Sequence, residues 1–179
     1  VKLIRTIRLD PSDTFVFEHA AEPGEWAVSG AFVFWNADAA QLEGKARSAF
    51  RGGFLGVESL GWSTLVQIVQ ASEGDRAALV ELLALKLVAR FGAPAIDAAR
   101  AAAEEEVAFA ASLCNHPADT LIAVHRTFEN GEVREALRTL YPRGGAKPMR
   151  AFSFLEVEGE EEPADEIDLV AMAEQEPRT

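Results

Sequence analysis

The stretch Thr120-Leu-Ile-Ala-Val-His-Arg-Thr-Phe-Glu-Asn-Gly-Glu-Val-Arg-Glu-Ala-Leu-Arg-Thr-Leu140 decides the fold. Asn130-Gly131 sits between two runs rich in β-branched and apolar residues. Both central positions of a two-residue hairpin turn need positive φ, which Asn and Gly tolerate best. Such a turn places Phe128 opposite Val133, Arg126 opposite Glu135, and Val124 opposite Leu137. This register gathers Ile122, Val124, Phe128, Val133 and Leu137 on one buried face and sets one opposite-charge pair among them. A helix over 132–141 is the competing reading, because Val133, Ala136, Leu137 and Leu140 also fit a 3.6-residue period. The hairpin is preferred, and it commits the protein to an antiparallel sheet.

Outward from the hairpin, residues 2–9 read as a strand, and Asp10-Pro11-Ser12-Asp13 reads as a turn. Residues 14–20 read as a second strand. Residues 26–35, apolar nearly throughout, read as a third, central strand covered by helices or by a partner subunit, so the chain is expected to open as a meander. A helix over 38–51 runs into a glycine-rich connection, Arg51-Gly52-Gly53-Phe54-Leu55-Gly56, and Trp62 to Val69 reads as extended. Ser72 three residues before Asp75 marks a helix start. Leu79, Val80, Leu83, Ala84, Leu87, Val88 and Phe91 recur at helical spacing up to Gly92. A second helix from Ala93-Pro94 to about Leu113 carries an apolar line, Ile96, Ala99, Ala103, Val107, Ala110 and Cys114, most of it small residues. After the hairpin, residues 150–157 read as a last strand. Strands that bracket helices without strict alternation predict an α+β fold, a mainly antiparallel sheet with two or three packed helices, over residues 1–157. Residues 158–179 form an acidic appendage with a short helix from Asp165 to Glu174.

The chain has 179 residues, 49% of them hydrophobic, and a formal net charge of −12. Ten acids between Glu156 and Glu176 face Arg178 alone, so the appendage carries most of that charge. A polyanion repels phosphate, which argues against nucleic-acid and membrane-surface partners. The absence of a run of about eighteen apolar residues argues against a membrane span. One cysteine excludes an internal disulfide, and the N-terminus shows no leader pattern, so a cytoplasmic location is expected.

The densest chemical cluster is Cys114-Asn115-His116 with His125. Thiolate and imidazole are zinc ligands, and these three residues are the candidate metal site, with Glu106 as an added carboxylate. Cys114 also continues the apolar line of its helix, where free cysteine acts as a small hydrophobe, and the structural reading is preferred. No cofactor is expected, with zinc the alternative. Glu104-Glu105-Glu106 point about 100° apart on a helix and cannot converge. Arg51-Gly52-Gly53 and Gly56 lack the phosphate-loop pattern and its lysine. Ser59, Ser63, Ser112 and Ser153 lack the nucleophile-elbow context. The second face of the hairpin carries His125, Thr127, Arg134 and Arg138. With Arg143, Lys147 and Arg150 close by in sequence, it is the candidate anion- or partner-facing surface, and the acidic tail is one occupant of it.

The stretches Lys2–Asp10, Gly56-Val-Glu-Ser-Leu-Gly-Trp-Ser-Thr64 and Glu106-Val-Ala-Phe-Ala-Ala-Ser-Leu-Cys-Asn-His-Pro117 resemble a family of small alphaproteobacterial proteins of unknown function. The resemblance covers residues 1–157 and implies no activity and no site residues. The residues themselves point to a non-enzymatic accessory or interaction protein that self-associates. The alternative is a small metal-dependent enzyme or metal carrier using Cys114, His116 and His125.

Overall fold

The computed structural model describes residues 1–142 and the backbone of residues 155–159, with side chains through Tyr141. The expected helix from Asp165 to Glu174, residues 150–154 of the last strand, and Arg143, Lys147 and Arg150 lie outside the described residues. The fold is α+β. Its main sheet contains β1 (Lys2–Ile7), β5 (Leu65–Gln70), β6 (Leu121–Glu129), β7 (Glu132–Pro142) and β8 (Leu155–Gly159), in the order β1-β5-β6-β7-β8, every pair antiparallel. A smaller antiparallel sheet holds β2 (Ala27–Val28), β3 (Phe54–Gly56) and β4 (Trp62–Ser63).

The Asn130-Gly131 hairpin forms as its turn chemistry predicts. Asn130 and Gly131 take φ of 53° and 81°, and the expected pairs Phe128–Val133, Arg126–Glu135 and Val124–Leu137 are all present. The hairpin outruns the core, however. Phe128 and Val133 are 39% and 47% exposed at its tip, so the buried face ends one pair earlier, at Arg126–Glu135.

Helix α3 (Glu73–Phe91) starts at a capping box: the Ser72 hydroxyl accepts from the Asp75 N–H at 3.0 Å, and the Asp75 carboxylate accepts from the Ser72 N–H at 2.8 Å. Gly92, with φ of 73°, ends it. Helix α4 (Ile96–Ser112) begins after Pro94 and returns antiparallel to α3; Arg76–Glu104 and Arg100–Glu81 ion pairs tie the two. Its line Ala99, Ala103, Val107, Ala110 and Cys114 is buried, as the spacing predicts, while Ile96 at its start is half-buried. Small side chains there let the helix axis approach the sheet, while Leu79, Leu83 and Leu87 of α3 supply bulk. Each wholly buried leucine stabilises the fold by about 2 kcal/mol.

The first sixty residues depart from the expected meander, because β1 pairs with β5 rather than with its sequence neighbour. Residues 14–20 are not a strand. Asp13–Val16 form a short helix, α1, started by the Asp10-Pro11-Ser12 turn, and the Asp13 carboxylate accepts from the Thr64 N–H (3.1 Å) and hydroxyl (2.5 Å). That clamp also interrupts the expected Trp62–Val69 strand, separating β4 from β5. The expected strand 26–35 stops at Val28. Gly30 takes φ of 80° in contact with Leu55 and Trp62, and the chain turns into a 3₁₀ helix at Ala31–Phe34. Its apolar residues wedge between elements: Phe32 meets Phe91 edge-on, and Phe34 stacks on Trp62 and meets Phe50 edge-on. Apolarity on both sides of this segment thus reflects a half-buried plug packed against the core, not a central strand. The expected helix over 38–51 is split into a 3₁₀ turn at Ala39–Gln41, capped by Asp38, and helix α2 (Gly44–Gly52).

Candidate functional site

At the C-terminal end of α4, Cys114 is buried at 4% exposure, its thiol donating to the Ala110 carbonyl at 3.4 Å. Burial pushes its pKa up to about 11. The thiolate that binds metals or attacks electrophiles is therefore scarce at neutral pH. Two residues on, the His116 carbonyl accepts from the Lys2 ammonium at 2.6 Å, and the His116 ring Nδ1 lies 2.7 Å from the Tyr141 hydroxyl. This joins the end of α4 to β1 and β7, and borders a cleft of about 180 Å³ lined by His116, Asn115, Ile122 and Thr139.

His125 stands elsewhere. It is exposed on β6, opposite Ala136, on the sheet face away from Ile122, the cleft residue. The structure joins Cys114 and His116 in one helix terminus and does not bring His125 to them. Among the described residues no group of three or more His, Cys, Asp or Glu is placed to hold a metal ion. Glu106 does not join them either. Burial raises its pKa first and the Glu135 charge next, while the Arg126 guanidinium opposes both. It therefore belongs electrostatically to the Arg126–Glu135 pair.

Folded protein at pH 8 is expected to leave Cys114 unmodified by iodoacetamide, and the same protein in urea to be alkylated, as read by intact mass. The sign follows from the raised pKa: the folded state holds the thiol proton more tightly, so stability falls as pH rises from the ordinary thiol value towards about 11. Fast alkylation of the folded protein would show the thiol to be accessible.

On the second hairpin face Thr127 lies directly opposite Arg134 and Ala123 opposite Arg138, flanking His125. Arg134 lies 3.8 Å from Glu129, an exposed pair of little energetic weight.

The most heavily bonded side chains escaped the sequence reading. The Arg126 guanidinium is fully buried. Its Nε donates to Glu135 (2.7 Å), one terminal nitrogen to the Phe50 and Gly53 carbonyls (3.1 and 2.7 Å), and the other to the Ser29 carbonyl and hydroxyl (2.6 and 3.0 Å). One side chain thereby locks the hairpin to the C-terminus of α2 and to the turn after β2. Its cation is matched by one carboxylate and by the negative end of the α2 dipole. The cross-strand pairing of Arg126 with Glu135 was the legible signal; nothing in the sequence marked Ser29 or Phe50 as partners.

Glu25 makes the second knot. Its carboxylate accepts from the Ser59 N–H (2.5 Å) and hydroxyl (2.7 Å) and from the Glu22 N–H (2.7 Å). A Cβ at Gly56 would lie 2.7 Å from this carboxylate, and one at Gly61 would lie 2.5 Å from the Ala21 nitrogen. The Gly56–Thr64 stretch is thus a set of bonding and close-approach positions around Glu25 and Asp13, with Ser59 and Thr64 as the donors. Ser59 is committed to Glu25 and Ser63 to the Ile7 and Leu65 carbonyls, so neither is a free nucleophile.

Residues 1–154 match the profile of a family of unknown function (DUF6505), and the chain belongs to that family. No curated protein and no solved structure matches the chain. Among the described residues no helix is long and apolar enough to cross a membrane.

Proposed function

We propose that this chain is a non-enzymatic accessory protein, bacterial and cytoplasmic, that acts by protein–protein association and associates with itself. The observation that carries the reading is the exposure of two large aromatic side chains, Trp35 at 80% and Phe15 at 73%. Aromatic anchors of this kind dominate interface energetics once a partner covers them. Burying a side chain of that size against a partner removes on the order of 150–250 Å² of surface from water. The buried ionisable groups support the same reading. Asp13, Glu25 and Arg126 are all saturated by bonds that hold chain segments together, which leaves none of them available for acid–base work. Charge adds to it: the acidic residues after Glu156 complement the basic excess of residues 126–155, which suits exchange between two copies.

Sedimentation velocity of the full chain over a wide concentration range tests this. A reversible oligomer is expected, weakened in Trp35→Ser and Phe15→Ser. Both substitutions lie on exposed positions and should leave the melting temperature near that of the unaltered chain. A monomer at every concentration, or an oligomer untouched by both substitutions, would overturn the reading.

A further inference from the structure

Helix α2 and the tip of the β6–β7 hairpin enclose a cleft of about 330 Å³, separate from the His116 cleft. Two guanidinium groups one helical turn apart, Arg47 and Arg51, line it from α2. Arg126, Phe50, Thr127 and Phe128 line it as well. Among the described residues Arg47, Arg51 and Arg90 are the arginines without a side-chain hydrogen bond, ion pair or ring contact, and of the three only Arg47 and Arg51 line this cleft. Arg5, Arg8, Arg76, Arg100, Arg126 and Arg134 are each bonded to a carbonyl or a carboxylate, and Arg138 is also engaged.

We propose that this cleft is a binding site for a small oxyanion, a phosphate or a dicarboxylate, held by Arg47 and Arg51. Residues i and i+4 on a helix face the same way, so the two guanidinium groups can meet one ligand. Guanidinium presents paired N–H donors that match phosphate and carboxylate oxygens two at a time. The C-terminal end of a helix ordinarily repels an anion through its free carbonyls. Here Arg126 donates to the carbonyls of Phe50 and Gly53, which cancels that repulsion at the wall of the cleft. The single acid at the rim, Glu129, is turned towards Arg134 across the hairpin. The volume sits at the lower end of the range for small-molecule sites, and half-exposed Phe128 offers an apolar surface to the rest of a ligand. The glycines beside Arg51 do not form the cradle. Gly53 is needed because a Cβ there would lie 2.7 Å from Trp62. The arginines carry the recognition, which is why no glycine-rich phosphate signature accompanies it.

Isothermal titration of the full chain with inorganic phosphate and, separately, with succinate is the test, with Arg47→Ala/Arg51→Ala as the variant. Saturable binding of either anion is expected, weakening as salt rises, and about tenfold or more weaker for each arginine removed. Phosphate binding alone would assign a phosphorylated ligand, and succinate binding alone a dicarboxylate. The doubly charge-conserving Arg47→Lys/Arg51→Lys variant should bind at intermediate strength, because lysine keeps the charge and loses the paired donors. Binding of neither anion, or binding unchanged in the alanine variant with its melting temperature preserved, would overturn the proposal. So would arginine-dependent binding of a peptide of residues 160–179 with no binding of either small anion, which would assign the cleft to the chain's own acidic segment.

Discussion

Arg126→Met is expected to destabilise the protein by about 3–5 kcal/mol, the usual cost of removing one partner from a buried ion pair. The loss has two parts. The Glu135 carboxylate is left half-buried with only the Ser29 hydroxyl, at 3.1 Å, among its described partners. The carbonyls of Phe50, Gly53 and Ser29 lose their donors together. Urea denaturation read by tryptophan fluorescence should show a lower midpoint with an unchanged slope, since the surface exposed on unfolding is the same. Arg126→Lys should rescue little. One ammonium cannot reach Glu135, α2 and Ser29 at once, whereas the flat guanidinium does so from three edges. Removing the stranded charge as well, in Arg126→Met/Glu135→Leu, should recover part of the loss, because the unpaired carboxylate is its costliest component. A single Arg126→Met variant within about 1 kcal/mol of the parent would mean that the site tolerates water and that the network is not the link between hairpin and α2.

Glu25→Ala is the second large effect, expected at about 2–4 kcal/mol. Three hydrogen bonds end on that carboxylate, and each bond to a charged group is worth about 1.5–3 kcal/mol before the freed donors regain water. Glu25 itself is buried and its own N–H donates to the Thr6 hydroxyl at 3.0 Å, so the loss also loosens the junction with β1. Glu25→Gln should cost less than alanine, since its amide oxygen can still accept from Ser59 while its NH₂ faces a donor. Ser59→Ala removes only the hydroxyl contribution and should fall below both. If alanine and glutamine at position 25 proved equally mild, the turn at residues 56–61 would be held by its backbone bonds instead, Gly56 N–H to the Gly61 carbonyl and Leu60 N–H to the Gly56 carbonyl.

These two knots explain where sequence reasoning stopped. Hydrophobic periodicity reports which face of an element is buried, and it located α3, α4 and the hairpin because each is longer than two turns or carries its own turn signal. It failed over residues 14–35, where segments of two to four residues are shaped by contacts distant in sequence. Asp13 finds Thr64, Gly30 meets Trp62, and Glu25 finds Ser59. A period cannot be read from four residues, and apolar residues in a plug look the same as apolar residues in a strand. The candidate sites divided in the same way. The burial of Cys114 was legible because it continued a helical line, and the Thr127–Arg134 face was legible from the hairpin register. The separation of His125 from Cys114 and His116 was not, because it depends on which sheet face receives the end of α4.

The amino-acid sequence by itself determined the α+β class, the hairpin register to the residue, and the boundaries of α3, since turn chemistry, capping and periodicity are local properties. Tertiary structure alone decided that β1 pairs with β5 and that Arg126 joins the hairpin to α2. It alone decided that Arg47 and Arg51 face the hairpin tip across a cleft. Those outcomes depend on packing between segments tens of residues apart, where no local preference of the chain selects one partner over another.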